Sequence, residues 1–193
     1  MSKDKTESMT WGKFGEIFVR QYFKHVLGFK DIKKTSEYID MTKHIDHVFT
    51  SEKLQRKVGI DVKAPTVVDG FEENEVNYAT FLNNRGEPGW LYGESDFAVI
   101  LTFDEIVIVE LSELREFLEK QTKDQVPVNG NPKKLYTKFH CSNQGSYRKS
   151  VSTLFRVEDV KGLPSARVKK LKREWGDFLR KKYNEINKNM KSI

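Results

Sequence analysis

The chain has 193 residues, with 34 lysines and arginines against 28 aspartates and glutamates, and is 37% hydrophobic and 12% aromatic, which excludes intrinsic disorder and leaves enough apolar side chains for one domain core. The longest apolar stretches, such as Phe97 to Phe103, fall far short of the roughly 20 residues that a membrane-spanning helix needs, and Met1 to Thr10 is polar, without an apolar signal segment. A lone cysteine, Cys141, excludes an internal disulfide, so the expectation is a soluble cytoplasmic protein with no membrane contact.

In chain order, Thr10 to Leu27 carries Phe14, Ile17, Phe18, Phe23, Val26 and Leu27 at helical spacing, with Gly28 as terminator, and predicts a first helix. His44 to Thr50 and Val58 to Ala64 alternate or are β-branched around a polar link at residues 52–55, which predicts a hairpin. Residues 65–95, with Pro65, Gly70, Asn83-Asn84-Arg85-Gly86 and Pro88-Gly89, read mainly as loop with room for a short helix. Phe97 to Phe103 and Ile106 to Leu111 are two apolar strands at the centre of the sheet, followed by a helix capped at Ser112 and running to about Lys120. Residues 121–150 form a polar excursion in which Lys133, Lys134, Lys138, Arg148 and Lys149 alternate with Tyr136, Phe139 and Tyr147. That is a composition suited to gripping phosphates and stacking on bases, and equally to a solvated loop. Thr153 to Val157 predicts a last strand, and a helix with Val168, Leu171, Trp175, Phe178, Leu179 and Ile186 on one side closes the chain.

Charge is placed unevenly. Residues 164–193 hold ten basic and three acidic side chains, a net +7, so the rest of the chain, at +6 overall, sums to −1. A neutral body with a basic tail suits a polyanionic partner, although a solvated helix face has the same composition. Arg167, Lys169, Lys170, Lys172, Arg173, Arg180, Lys181 and Lys182 are the candidate phosphate contacts.

The chemistry concentrates in the hairpin. Residues two apart in a strand share a face, so Asp61 and Lys63 project together and Val58, Ile60 and Val62 project oppositely. A hairpin closed symmetrically around residues 52–55 pairs 48 with 59, 50 with 57, and 46 with 61, which sets Asp46 against Asp61. Opposed like charges on paired strands are destabilising, and a divalent cation between them offsets the repulsion. Two carboxylates, the Val62 backbone carbonyl and retained waters are the hard oxygen set that Mg²⁺ prefers. Lys63 would then orient or activate a water, or stabilise charge on a phosphorane-like transition state. The first helix supplies Glu16, with Gly12 and Gly15 allowing close approach to the sheet. The pattern Asp-x-Lys alone is uninformative, because Asp31-Ile32-Lys33 and Asp159-Val160-Lys161 repeat it. Only Asp61-Val62-Lys63 follows an apolar strand and has a partner acid at hairpin register. His44, His47, His140 and Cys141 fit no familiar zinc spacing, and His47 faces away from Asp46 in a regular strand.

Glu16 in Gly12-Lys13-Phe14-Gly15-Glu16, Asp46 in Ile45-Asp46-His47, and Gly59-Ile60-Asp61-Val62-Lys63-Ala64 together resemble the PD-(D/E)XK, or restriction-endonuclease-like, nuclease superfamily. Ile45 stands where that pattern usually has proline. The resemblance implies an α/β fold with a central mixed sheet flanked by helices, Asp46 and Asp61 as metal ligands, Lys63 assisting the nucleophilic water, and Glu16 joining the site. It further implies an Mg²⁺-dependent endodeoxyribonuclease, with Mn²⁺ able to substitute. The expectation is therefore one nuclease domain over residues 1–193, with a core at about 10–157 and a basic helical extension at about 164–193, acting on DNA and with room for a homodimer. A non-catalytic nucleic-acid-binding protein of the same fold, and an RNA-cleaving enzyme using the same site, are the alternatives.

Overall fold

The computed structural model describes residues 10–83, 85–123, 134–141 and 150–191. Lys133, Tyr147, Arg148 and Lys149 of the predicted excursion, and Asn84, lie outside the described residues. Among the described residues no helix is long and apolar enough to cross a membrane.

Helix α1, Trp11–His25, starts where the Thr10 hydroxyl accepts from the Lys13 amide, and it ends before Gly28, which sits at φ 78°. Strand β1, Lys33–Lys34, leads through the Ser36 cap into α2, Glu37–Lys43, which closes with His44 in the left-handed region at φ 53°. Helix α2 buries none of its residues, so it leaves no apolar period to read in the sequence. Strands β2, His47–Ser51, and β3, Arg56–Lys63, form the predicted hairpin, with Val48 opposite Gly59 and Thr50 opposite Lys57.

Within 65–95 the loop expectation is corrected by β4, Val76–Leu82, a seven-residue strand, while the short helix is present as a 3₁₀ turn at Trp90–Tyr92. Asn77, Ala79 and Phe81 are buried at period two, an alternation that the flanking turn residues obscure in the sequence. Strands β5, Phe97–Leu101, and β6, Glu105–Glu110, are the apolar pair expected. Helix α3 is Leu111–Gln121, capped at Glu110, which places Ser112 inside the helix and not at its cap. Strand β7, Phe139–Cys141, strand β8, Ser150–Arg156, and the short α4, Val157–Lys161, follow. The expected helix from about residue 164 is also corrected. Arg167–Lys170 is a further strand, β9, and α5 begins only at Arg173 and runs to Lys191. All four β9 residues are exposed, so no apolar alternation marks the strand. Charged residues at a sheet edge also discourage edge-to-edge association.

The main sheet has the order β1-β2-β3-β5-β6-β9, with β3 and β5 parallel and the other neighbours antiparallel. A second antiparallel sheet has the order β4-β8-β7. The protein is thus mixed α/β, with a mixed central sheet and helices against it. On one face Val58, Ile60, Val62, Val99, Leu101 and Ile106 pack on Val19 and Phe23 of α1 and on Leu179 of α5. On the other, Ala98, Ile100, Val107 and Val109 pack on Leu114 and Leu118 of α3 and on Ala79 and Phe155 of the second sheet. Because Leu179 is fully buried and Trp175 packs edge-on against Phe18 and Tyr22, α5 belongs to the core and is not an appendage.

Candidate active site

The carboxyl end of β3 and the start of α1 meet where a Cβ added at Gly15 would lie 2.9 Å from the Ala64 Cβ. Only glycine allows this approach, which carries the next helical residue, Glu16, over the end of the sheet. Gly12 has nothing within 4 Å of such a Cβ and plays no part in it, contrary to expectation.

Hairpin register brings the two aspartates together, but not by an ideal pair. The ladder ends at His47 opposite Ile60, and the Asp46 amide donates to the Ile60 carbonyl, so Asp46 sits just beyond β2. Its side chain bridges the gap, with Oδ2 accepting from the Val62 amide at 2.6 Å. Asp46 and Asp61 are only 4% and 2% exposed, too little for water to neutralise two acids. Lys63 Nζ donates to Asp61 Oδ1 at 2.8 Å and lies 4.6 Å above the Trp90 ring. Burial pushes the Asp61 carboxyl up to about 7 against the pull of Lys63, with the Asp46 charge adding to the rise.

These residues line a cleft of about 360 Å³ with Glu16, Asp40, His44, Asn77, Tyr78 and Trp90. Burial and the Asp46 charge raise Glu16, while Lys34, 3.6 Å from it, opposes them. Asp40, on α2, was not legible in the sequence. Burial, the Asp46 charge and a hydrogen bond with the Asp46 carboxyl raise it. Four acids, Glu16, Asp40, Asp46 and Asp61, thus share the cleft. Trp90 has no signal in the sequence beyond the Pro88-Gly89 turn beside it. The 3₁₀ turn that carries it is clamped just after Trp90 by Arg115, which donates to the Leu91 carbonyl at 2.8 Å and the Gly93 carbonyl at 3.3 Å.

His47 does face away from Asp46. It is buried under α1 with Nε2 3.0 Å from the Glu16 carbonyl oxygen, and burial pushes it down to about 4, so it stays neutral. Asp31 and Asp159, the acids of the other two Asp-x-Lys copies, have structural partners. Asp31 accepts from the Thr50 amide, and Asp159 accepts from the Tyr136 hydroxyl.

Among the described residues, Asp61 Oδ2 is one of four buried side-chain polar atoms, with His47 Nδ1, Ser95 Oγ and Thr122 Oγ1, that have no hydrogen-bond partner, and it is the only carboxylate oxygen of the four. A bare buried carboxylate oxygen is costly, and it is the position that a hard cation would occupy. Asp46, Asp61 and the Val62 carbonyl could hold such a cation with water completing the shell. Among the described residues no three His, Cys, Asp or Glu side chains are gathered as a metal-ligand set.

The C-terminal cations are not equivalent. Arg180 bridges Glu73 and Asp104 at 2.6 and 2.8 Å, Lys182 pairs with Glu185 at 2.6 Å, and Arg173 stands 3.9 Å from Asp177. Arg167 donates to the Pro164 and Ala166 carbonyls. Lys169, Lys170, Lys172 and Lys181 are exposed and make no ion pair among the described residues. The rows Lys63–Ile100, Ile100–Val107 and Val107–Val168 run across the sheet, so the carboxyl end of β9 is at the same sheet end as the cleft.

No family model, no curated protein and no solved structure matches the chain.

Proposed function

We propose that the protein is a divalent-metal-dependent nuclease of the restriction-endonuclease-like type that hydrolyses phosphodiester bonds of DNA. The observation that carries this is the buried, unpartnered Asp61 Oδ2 beside Asp46, with Lys63 fixed on the other oxygen of the same carboxylate. Two acids buried at one strand end with a single ammonium bonded to them leave negative charge that a divalent cation would offset.

Bound Mg²⁺ or Mn²⁺ would neutralise the acidic cleft and supply a polarised water. Asp46, fixed by the Val62 amide, and Asp61, fixed by Lys63, hold the ligand oxygens in place. Lys63 presents its remaining N–H groups to the cleft, where they orient the attacking water and stabilise charge on the phosphoryl oxygens as the P–O ester bond breaks. The Trp90 face limits the directions that the ammonium can take. Glu16 faces the same space, placed to accept a proton from the water. The exposed Lys169, Lys170, Lys172 and Lys181 are the tail side chains left to meet phosphates.

The test is cleavage of plasmid DNA and of RNA in parallel, with Mg²⁺, with Mn²⁺ and with chelator. Metal-dependent DNA cleavage lost in Asp61→Asn supports the proposal. Metal-dependent cleavage of RNA alone reassigns the substrate, and binding without cleavage in any metal overturns the enzymatic assignment.

A further inference from the structure

Helix α1 and strand β1 wall a second groove, of about 350 Å³, lined by Arg20, Gln21, Lys24, Ile32, Lys33 and Lys34. Four of these are cations and none is an acid. Arg20 and Lys24 follow Glu16 at i+4 and i+8, so the three lie along one face of α1, with Glu16 in the cleft and the two cations leading away from it. Lys34 pairs in β1 with His47, the neighbour of Asp46, and its ammonium is 3.6 Å from Glu16. The groove therefore begins where the acidic cleft ends.

Of its four cations only Lys34 has an acid at ion-pair distance, Glu16. Arg20, Lys24 and Lys33 make no ion pair among the described residues, although Asp31, whose carboxylate accepts from the Thr50 amide, lies near enough to Lys33 to feel its charge. The larger cleft beside α5, also rich in cations, differs on this point, since Arg180 is matched there by Glu73 and Asp104, and Lys161 by Glu105 and Glu158. Like charges held together without counter-charges repel one another, and a polyanion laid along them removes that cost.

We propose that this groove binds the sugar–phosphate backbone of the DNA strand whose scissile bond enters the cleft; the direction of the strand rests on the nuclease assignment above. From Glu16 to Lys24 the helix rises about 12 Å at 1.5 Å per residue. That spans the axial rise of about three to four nucleotides of one duplex strand at about 3.4 Å each. The lining offers ammonium, guanidinium and amide donors, which read phosphate charge and spacing and not base identity.

The test uses the full chain carrying Arg20→Gln, Lys24→Gln and Lys33→Gln together, sparing Lys34 because it touches Glu16. A charge-matched control carries Lys53→Gln, Lys57→Gln and Lys120→Gln, on exposed positions of the hairpin and α3. Binding of a labelled DNA duplex is measured with EDTA at several salt concentrations, after circular dichroism confirms folding. The groove variant should flatten the slope of log K against log salt by up to about 2.7, at about 0.9 per lost phosphate contact, while the control keeps the wild-type slope. An unchanged slope in the groove variant, or an equal loss in the control, overturns the proposal. Polyglutamate that displaces DNA at equal charge concentration also overturns it, since the groove would then suit an acidic protein. Cleavage is assayed separately with Mg²⁺. A wild type that binds through the groove without cutting defeats the nuclease assignment alone, and one that cuts with an unaltered groove-variant slope defeats the groove alone.

Discussion

Asp61 accepts from the Lys63 ammonium at 2.8 Å through one carboxylate oxygen, and its other oxygen is buried with no partner among the described residues. The pair is therefore half-satisfied, an arrangement that costs stability unless a ligand completes it. Asp61→Asn should abolish metal-dependent cleavage while the chain folds, and DNA affinity should stay equal or rise, because a charge facing the phosphates is gone. Cleavage by this variant near the wild-type rate would remove Asp61 from the site.

The same residue sets a pH dependence. Its folded carboxyl titrates at about 7 and its unfolded one at the ordinary 3.8, so between these values the folded state binds the extra proton. Stability from this group is greatest below about pH 4 and is lost as pH rises through about 7. His47 acts oppositely, since its folded value of about 4 lies below the ordinary 6.5, and its contribution is lost as pH falls through that range. Comparing wild type with Asp61→Asn cancels the histidine. In chelator the variant's melting temperature should exceed that of wild type above pH 7, with the advantage shrinking towards pH 4. Equal pH profiles would contradict the burial argument, and Mg²⁺ should narrow the gap by stabilising wild type.

Lys63→Ala should lower kcat by about 10²–10⁴-fold, the range for a positioned group acting on a proton or its developing charge. Metal affinity should change less, because the lysine meets the water and the phosphate. Single-turnover cleavage at saturating Mg²⁺ separates the two, and a shifted metal requirement with unchanged turnover would reassign the residue.

Gly15 and Gly12 make a matched pair. Gly15→Ala puts a methyl 2.9 Å from the Ala64 Cβ and 3.3 Å from its Cα. That should cost about 1–3 kcal/mol by overpacking and reduce cleavage by lifting Glu16 away from the sheet end. Gly12→Ala meets nothing and should be neutral or stabilising by up to about 1 kcal/mol. Thermal melts of both variants, with cleavage rates alongside, check the contrast.

In the tail, Arg180→Gln should lower the melting temperature by breaking its bridge to Glu73 and Asp104, worth about 1 kcal/mol or less at this partly exposed position, and leave the salt slope of DNA binding unchanged. Replacing Lys169, Lys170, Lys172 and Lys181 by Gln should do the reverse, flattening the slope by about 0.9 for each that meets a phosphate. If Arg180→Gln changes the slope and the four lysines do not, the roles are exchanged.

Local pattern by itself determined α1, the β2–β3 hairpin with its register, and the β5–β6 pair, because each buries an apolar set whose period appears in neighbouring residues. That register was enough to bring Asp46, Asp61 and Lys63 to one strand end. Tertiary structure decided what has no local period. Helix α2 buries nothing, so Asp40 joins the cleft only through the chain path between β1 and β2. Strand β9 is exposed at every position and is a strand only because β6 offers it an edge. Trp90 comes to Lys63 through a turn held by Arg115, and Arg180 is taken from the basic tail by acids far away in sequence. Spacing along the chain carries one element's contacts with itself and its hairpin partner. Which charges end up balanced, and which oxygen stays bare, follows from long-range packing.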